Sequence, residues 1–156
     1  MIMDDGRMGE VEIREAGAAD LPYVMPLFGQ LGMDDGCVLD AGEARVLFEK
    51  MQRYPDYRLY IALVGGETVG VFALLIMDNL GHCGAPSGIV EDVVVRHDRR
   101  RRGIGAAMMS FAMDRCRERK CYKMVLSSNR NRADAHEFYR SLGFEIHGLS
   151  FEVRIA

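Results

Sequence analysis

The chain has 156 residues, 49% of them apolar and 28% charged, with a formal net charge of −3. That length suits one domain with a substantial core, and the acidic balance argues against a general nucleic-acid binder. No apolar run approaches the ~20 residues of a membrane span, and nothing at the N-terminus reads as a leader peptide.

Residues 1–9 are polar and glycine-rich and read as a loose lead-in to a single domain over 10–156. Val11 to Glu15 reads as a short strand. Asp20 is a candidate N-cap for a helix with Leu21, Val24, Met25, Leu27 and Phe28 at helical spacing. Pro22 suits its first turn, and Pro26 should kink or shorten it. Residues 29–40 read as a loop holding Asp34-Asp35-Gly36. A second helix is expected from Ala41 to Arg53, with Ala44, Leu47, Phe48 and Met51 on one face. Tyr57–Val64 and Thr68–Met77, joined by Gly65-Gly66-Glu67, form a hairpin. After a loop over 81–88, Ile89–Val95 is a strand that is apolar except for Glu91 and Asp92.

The long helix runs from Gly103 to Arg119, with Ile104, Ala107, Met108, Phe111 and Ala112 on its apolar face. A strand around Met124–Ser127 follows, then a helix from Arg132 to Leu142 stopped by Gly143. Phe144–Ile146 and Leu149–Ile155 read as two final strands. The order predicts an α/β (α+β) fold, a mixed and mostly antiparallel sheet of about seven strands flanked by about four helices. A parallel pair is expected where the long helix crosses over. The four cysteines, Cys37, Cys83, Cys116 and Cys121, include no Cys-x-x-Cys pair and read as reduced thiols of a cytoplasmic protein.

The most informative stretch is Val93-Val94-Val95-Arg96-His97-Asp98-Arg99-Arg100-Arg101-Arg102-Gly103-Ile104-Gly105. A β-branched run stops at an arginine-dense turn, and two glycines open a helix. A helix start leaves backbone N–H groups unpaired and favours an anion, and glycine lets a ligand approach the backbone. The build suits a diphosphate. A dinucleotide fingerprint would need glycine where Met108 stands, and a P-loop would need Gly-Lys-Ser/Thr. Glu91 and Asp92 are costly in a buried strand unless used or paired, and strand alternation points them to opposite faces. The plainer reading of them is a capped or paired acid at the end of a strand. His82, Cys83 and His97 make no metal-ligand spacing, so no metal is expected.

These features resemble the GCN5-related N-acetyltransferases, the GNAT family. Arg100-Arg101-Arg102-Gly103-Ile104-Gly105 matches its pyrophosphate motif, and Ala135-His136-Glu137-Phe138-Tyr139-Arg140-Ser141-Leu142-Gly143-Phe144 looks like its second motif. Ile89–Val95 and Cys121–Met124 resemble the glucosamine-phosphate N-acetyltransferases within it. Ser127–Asn129 through Tyr139, and the region from Tyr57 to His82, resemble the aminoalkylphosphonate N-acetyltransferases.

The resemblance implies transfer of acetyl from acetyl-CoA to a primary amine of a small molecule by direct attack. A phosphate or phosphonate on the acceptor is what both groups share. A polyamine, an aminoglycoside or a protein amine are the alternative acceptors, and a non-catalytic CoA-binding sensor is the alternative role. An alkyl amine with a pKa of roughly 10.4 is unprotonated in only about one molecule in a thousand at pH 7, so a base is needed. Glu91 is the favoured base, with Asp92 orienting the amine. Val93, Val94 and Val95 would pair with the pantetheine arm through their backbones. Arg100, Arg101, Arg102, Gly103, Ile104, Gly105 and Ala106 would hold the diphosphate. The resemblance places Tyr139 beside the departing thiolate, where a core role with Phe138 is the plainer reading. It also brings Asn131 and Arg132 to the cofactor, where helix capping is the alternative. Arg53, Arg58 and Lys123 are candidate anchors for an anionic acceptor. The family further implies a homodimer, which the apolar Leu149, Phe151, Val153 and Ile155 would suit.

Overall fold

The computed structural model describes residues 9–32 and 36–155. Asp34 and Asp35 of the expected loop, and the lead-in up to residue 8, lie outside the described residues. The chain forms two compact units, residues 1–125 and 126–156.

The first unit runs β1 (Glu12–Glu15), α1 (Leu21–Gly29), α2 (Ala41–Met51), β2 (Tyr57–Val64), β3 (Glu67–Met77), β4 (Ser87–Val95), α3 (Ile104–Glu118) and β5 (Lys123–Leu126, which crosses the boundary). The sheet has the strand order β1-β2-β3-β4-β5. Neighbours from β1 to β4 are antiparallel. At the far edge the Tyr122 amide donates to Pro86 O at 3.0 Å, and Met124 Cγ lies 3.5 Å from where a Cβ on Gly88 would stand. β4 and β5 therefore start together and run the same way, with α3 as their crossover.

Alternation along the strands divides the core. Leu59, Ile61, Leu63, Val71, Ala73 and Val94 gather with Leu21, Val24 and Leu27 of α1 and Ala44 and Phe48 of α2. On the other face Tyr60 stacks on Phe72 at 5.3 Å and meets Phe111 of α3 at 5.1 Å. Two glycines let α3 lie close to the sheet. A Cβ on Gly70 would stand 2.7 Å from Met108 Sδ, and one on Gly88 would overlap Cys116 Sγ.

Asp20 does not cap α1 through its side chain; its carboxylate is taken by Arg14 at 2.8 Å and by the Gly17 amide at 2.7 Å. Arg14 holds that carboxyl below the ordinary aspartate range. Asp40 instead is a true cap, sharing a capping box with Glu43 at the start of α2. α1 does run through Pro26 and ends at Gly29.

The second unit holds α4 (Ala133–Ser141). The sheet has five strands rather than about seven, because neither Phe144–Ile146 nor Leu149–Ile155 forms a ladder. A strand exists only through its partner. Here Ile146, Leu149, Phe151, Val153 and Ile155 are 78–89% exposed, so the apolar alternation is present without a face to cover it.

Candidate active site

The site is organised by an irregularity in β4. Val71 pairs with Val94 and Ala73 with Glu91, so Asp92 and Val93 together oppose Phe72. This is a β-bulge, with Asp92 at a left-handed φ of 52°. Aspartate is among the few residues other than glycine that accept that conformation readily. The extra residue breaks the alternation, and Glu91 and Asp92 are exposed in succession rather than one in and one out. β5 is short and ends at Leu126, while β4 continues past the bulge to Val95.

Tyr57, at the start of β2, shares the acidic surroundings. Burial raises its phenol pKa, and the charges of Asp92 and Glu91 raise it further. The Tyr54 ring meets Tyr57 edge-on at 6.0 Å. Protein packed around Asp92 strips part of the hydration of its carboxyl and lifts its pKa above the ordinary value. A carboxyl raised by folding holds its proton more tightly in the folded chain, so once ionised it opposes folding. Asp92→Asn, which keeps the left-handed backbone, should therefore raise Tm at pH 7 by roughly 1–4 °C. The gain should shrink as pH falls through the carboxylate range. Thermal unfolding at pH 7 and pH 4 checks this, and an unchanged Tm at pH 7 would remove the desolvation argument.

Beyond Val95 the arginine turn divides into two sets. Arg96 and Arg99 bind Glu67 and Asp98. Arg100 reaches the Val95 carbonyl at 3.4 Å, and Arg101 and Arg102 are exposed. Arg101 has a φ of 58° and Gly103 a φ of 76°, which turns the chain into α3. The Ala107 amide is the first to bond back, to Gly103 O at 3.0 Å; no described residue accepts from the amides of 101 to 106. A Cβ added at Gly103 would meet nothing within 4 Å. Open donors, a helix N-terminus and a bare glycine thus coincide. Val94 and Ile104 are 3% and 2% exposed, so their side chains are packed away from a ligand.

At the other end of β4, His82 stacks on Tyr122 at 3.9 Å, and Lys123 Nζ lies 5.2 Å from the Tyr122 ring centre. The loop that carries His82 is pinned by Asn79, whose side-chain amide donates to Ala85 O at 2.6 Å. Arg58 is not free to serve as an anchor. It donates to the carbonyls of Tyr54 and Tyr57 and pairs with Glu15 at 3.2 Å. Among the described residues, no three His, Cys, Asp or Glu side chains gather as a metal site.

In the second unit, Tyr139 packs against Phe138 at 5.2 Å and Phe144 at 5.5 Å. Burial raises its phenol pKa and the Arg132 charge partly offsets the rise, so it stays protonated at neutral pH. Asn129 shapes the turn into α4. Its side chain accepts from the Asn131 amide at 2.9 Å, and its carbonyl accepts from the Arg132 amide at 3.0 Å and meets His136 Nε2 at 2.8 Å. Asn131 and Arg132 themselves are exposed and offer no side-chain cap to α4. Ser128 Oγ is buried with no partner among the described residues.

One unit therefore assembles Glu91, Asp92, Val93–Val95 and Arg100–Ala106 along β4 and into α3, and the other holds Asn131, Arg132 and Tyr139. Sequence reasoning missed Tyr57 as a neighbour of the acids. Two successive carboxylates in an apolar strand were the available signal of a bulge.

A model of the acetyltransferase (GNAT) family matches residues 31–144. An aminoalkylphosphonate N-acetyltransferase of Salmonella typhimurium is 29% identical over 134 residues, covering 86% of this chain and 84% of that protein. A glucosamine 6-phosphate N-acetyltransferase of Arabidopsis thaliana is 30% identical over 122 residues, 75% of this chain and 77% of that protein. Among solved structures, an acetyltransferase of Trypanosoma brucei superposes with a TM-score of 0.80 at 26% identity, covering 94% of this chain and all of that one. With most of its length matched by the family, the chain belongs to the acetyltransferase (GNAT) family and is an N-acetyltransferase.

Proposed function

We propose that the protein moves the acetyl group of acetyl-CoA to the primary amine of a small molecule bearing a phosphate or phosphonate, by direct attack, and works as a homodimer. The observation that carries the cofactor is the run of open amides from 101 to 106 at the start of α3, with no Cβ on Gly103. Those donors fit a diphosphate, with Arg100, Arg101 and Arg102 beside them to add charge. The β4 backbone at Val93 and Val95 suits the amides of a pantetheine arm. The bound thioester supplies an activated acyl group.

The remaining work falls to side chains. Asp92, with its raised proton affinity, takes the amine's proton directly or through water, and Glu91 and Tyr57 surround the ammonium form. This moves the base from Glu91, which the sequence favours, to its neighbour. Asp92→Asn should then lower kcat more than Glu91→Gln does; the reverse order in steady-state kinetics would return the role to Glu91. Tyr139 donates its phenolic proton to the departing sulfur. Lys123 and His82, gathered at Tyr122, support an anionic acceptor, as do the two named relatives.

An acceptor screen with free-thiol detection tests the reading, using glucosamine 6-phosphate, aminomethylphosphonate, spermidine and an aminoglycoside. Thiol release with the two phosphorus-bearing amines alone is expected; preference for spermidine or the aminoglycoside would overturn the acceptor class. The exposed apolar alternation of 149–155 supports the dimer. Sedimentation should give twice the chain mass, and Phe151→Asp with Val153→Asp should give monomer.

A further inference from the structure

We propose that Cys116 and Cys121 form a redox modification site, a dithiol that closes into an intramolecular disulfide on meeting a low-molecular-weight disulfide such as glutathione disulfide. The argument starts at the end of α3. The chain must reverse from Glu118 into Lys123, and it does so through Lys120, whose φ of 57° is left-handed. The Lys120 amide donates to Arg117 O at 3.0 Å, and the Cys121 amide donates to Cys116 O at 2.9 Å. These are the two closing bonds of a Schellman motif, with Cys116 three positions before the cap and Cys121 two positions after it. Those two positions ordinarily bring apolar side chains into contact; here both side chains are thiols.

A direct backbone bond between the two residues keeps their Cα atoms near the roughly 4.4–6.8 Å that a disulfide spans. The Cys116 thiol sits over Gly88, the position where a Cβ would overlap it. Cys116 is 5% exposed while Cys121 is partly exposed, so an incoming reagent reaches Cys121 first. Burial and the adjacent Cys121 push the Cys116 thiol up to about 12, so Cys116 does not open the reaction; once Cys121 is held in a mixed disulfide its charge no longer opposes ionisation of Cys116.

The chemistry balances. The Cys121 thiolate attacks one sulfur of glutathione disulfide, the S–S bond breaks, and one glutathione thiolate leaves. Cys116 loses its proton to solvent and attacks Cys121 Sγ in the mixed disulfide, expelling the second glutathione. Two protein thiols are oxidised by two electrons, and one glutathione disulfide is reduced to two thiols.

The test uses the full chain with the two exposed cysteines removed, Cys37→Ser with Cys83→Ser. The protein is reduced, incubated with glutathione disulfide, alkylated and weighed intact. The expected product has lost two hydrogens and takes up no alkyl group, and dithiothreitol reverses both changes. Arg117, Arg119 and Lys120 separate the cysteines, so trypsin should release Cys116-Arg117 joined to Cys121-Tyr122-Lys123. In the same background, Cys116→Ser should instead keep one glutathione on Cys121. Two alkylated thiols after oxidation, or a glutathione retained on Cys121 while Cys116 is present, would overturn the proposal.

Discussion

Gly103→Asp should weaken CoA binding by about two orders of magnitude while the chain stays folded. Gly103 has a left-handed φ of 76°, and the space beyond its Cα is empty. An added side chain therefore meets no protein atom, and aspartate accepts that backbone better than most residues. The folding cost should be about 1 kcal/mol. The binding cost is larger. A carboxylate about 5 Å from the nearer phosphate charge, at an effective dielectric near 20, opposes it by about 3 kcal/mol, a factor of about 10². Gly103→Asn is the control, since it has nearly the same shape and backbone tolerance without the charge. Calorimetric titration with CoA should show a small loss for Asn and a severe one for Asp. Equal losses would mean that the open amides of 101 to 106 receive something other than an anion.

Tyr139→Phe should lower kcat by about 10²–10³-fold, the usual worth of a positioned proton donor, and leave the Kd for acetyl-CoA near its original value. The ring's neighbours, Phe138 and Phe144, lose no packing partner when only the hydroxyl is removed. Burial holds the phenol protonated well past neutrality. It is then a ready donor to a sulfur leaving group whose parent thiol has a pKa near 8.5. Stopped-flow turnover alongside equilibrium binding separates the two quantities. Full turnover in the variant would reduce Tyr139 to the core aromatic that helix periodicity alone describes.

What was legible in the chain was local. Helical spacing located α1 to α4 within a few residues, and the hairpin and the β4 strand followed from apolar runs, the hairpin's joined by a glycine turn. The glycine pair after a β-branched run marked the start of α3, because unpaired amides at a helix N-terminus are a property of nearby backbone. Asp20 shows where local reasoning fails. It has the right residue type for a cap, but Arg14 competes for its carboxylate. Residues 144–155 show the same limit from the other side, since alternation describes a strand but pairing creates one.

Taken alone, the sequence determined the order of elements as far as α4, the family resemblance and the position of the glycine-arginine turn before α3, each of which depends on residues close together in the chain. Only the tertiary structure decided that Glu91 and Asp92 stand exposed side by side at a bulge beside Tyr57, that Arg58 is already engaged, and that α3 closes on Cys116 and Cys121 through a left-handed Lys120. Register between strands and competition among partners are settled by which groups meet across the fold. A bulge in β4 is defined by what β3 offers opposite it, and no window of β4 alone contains that information.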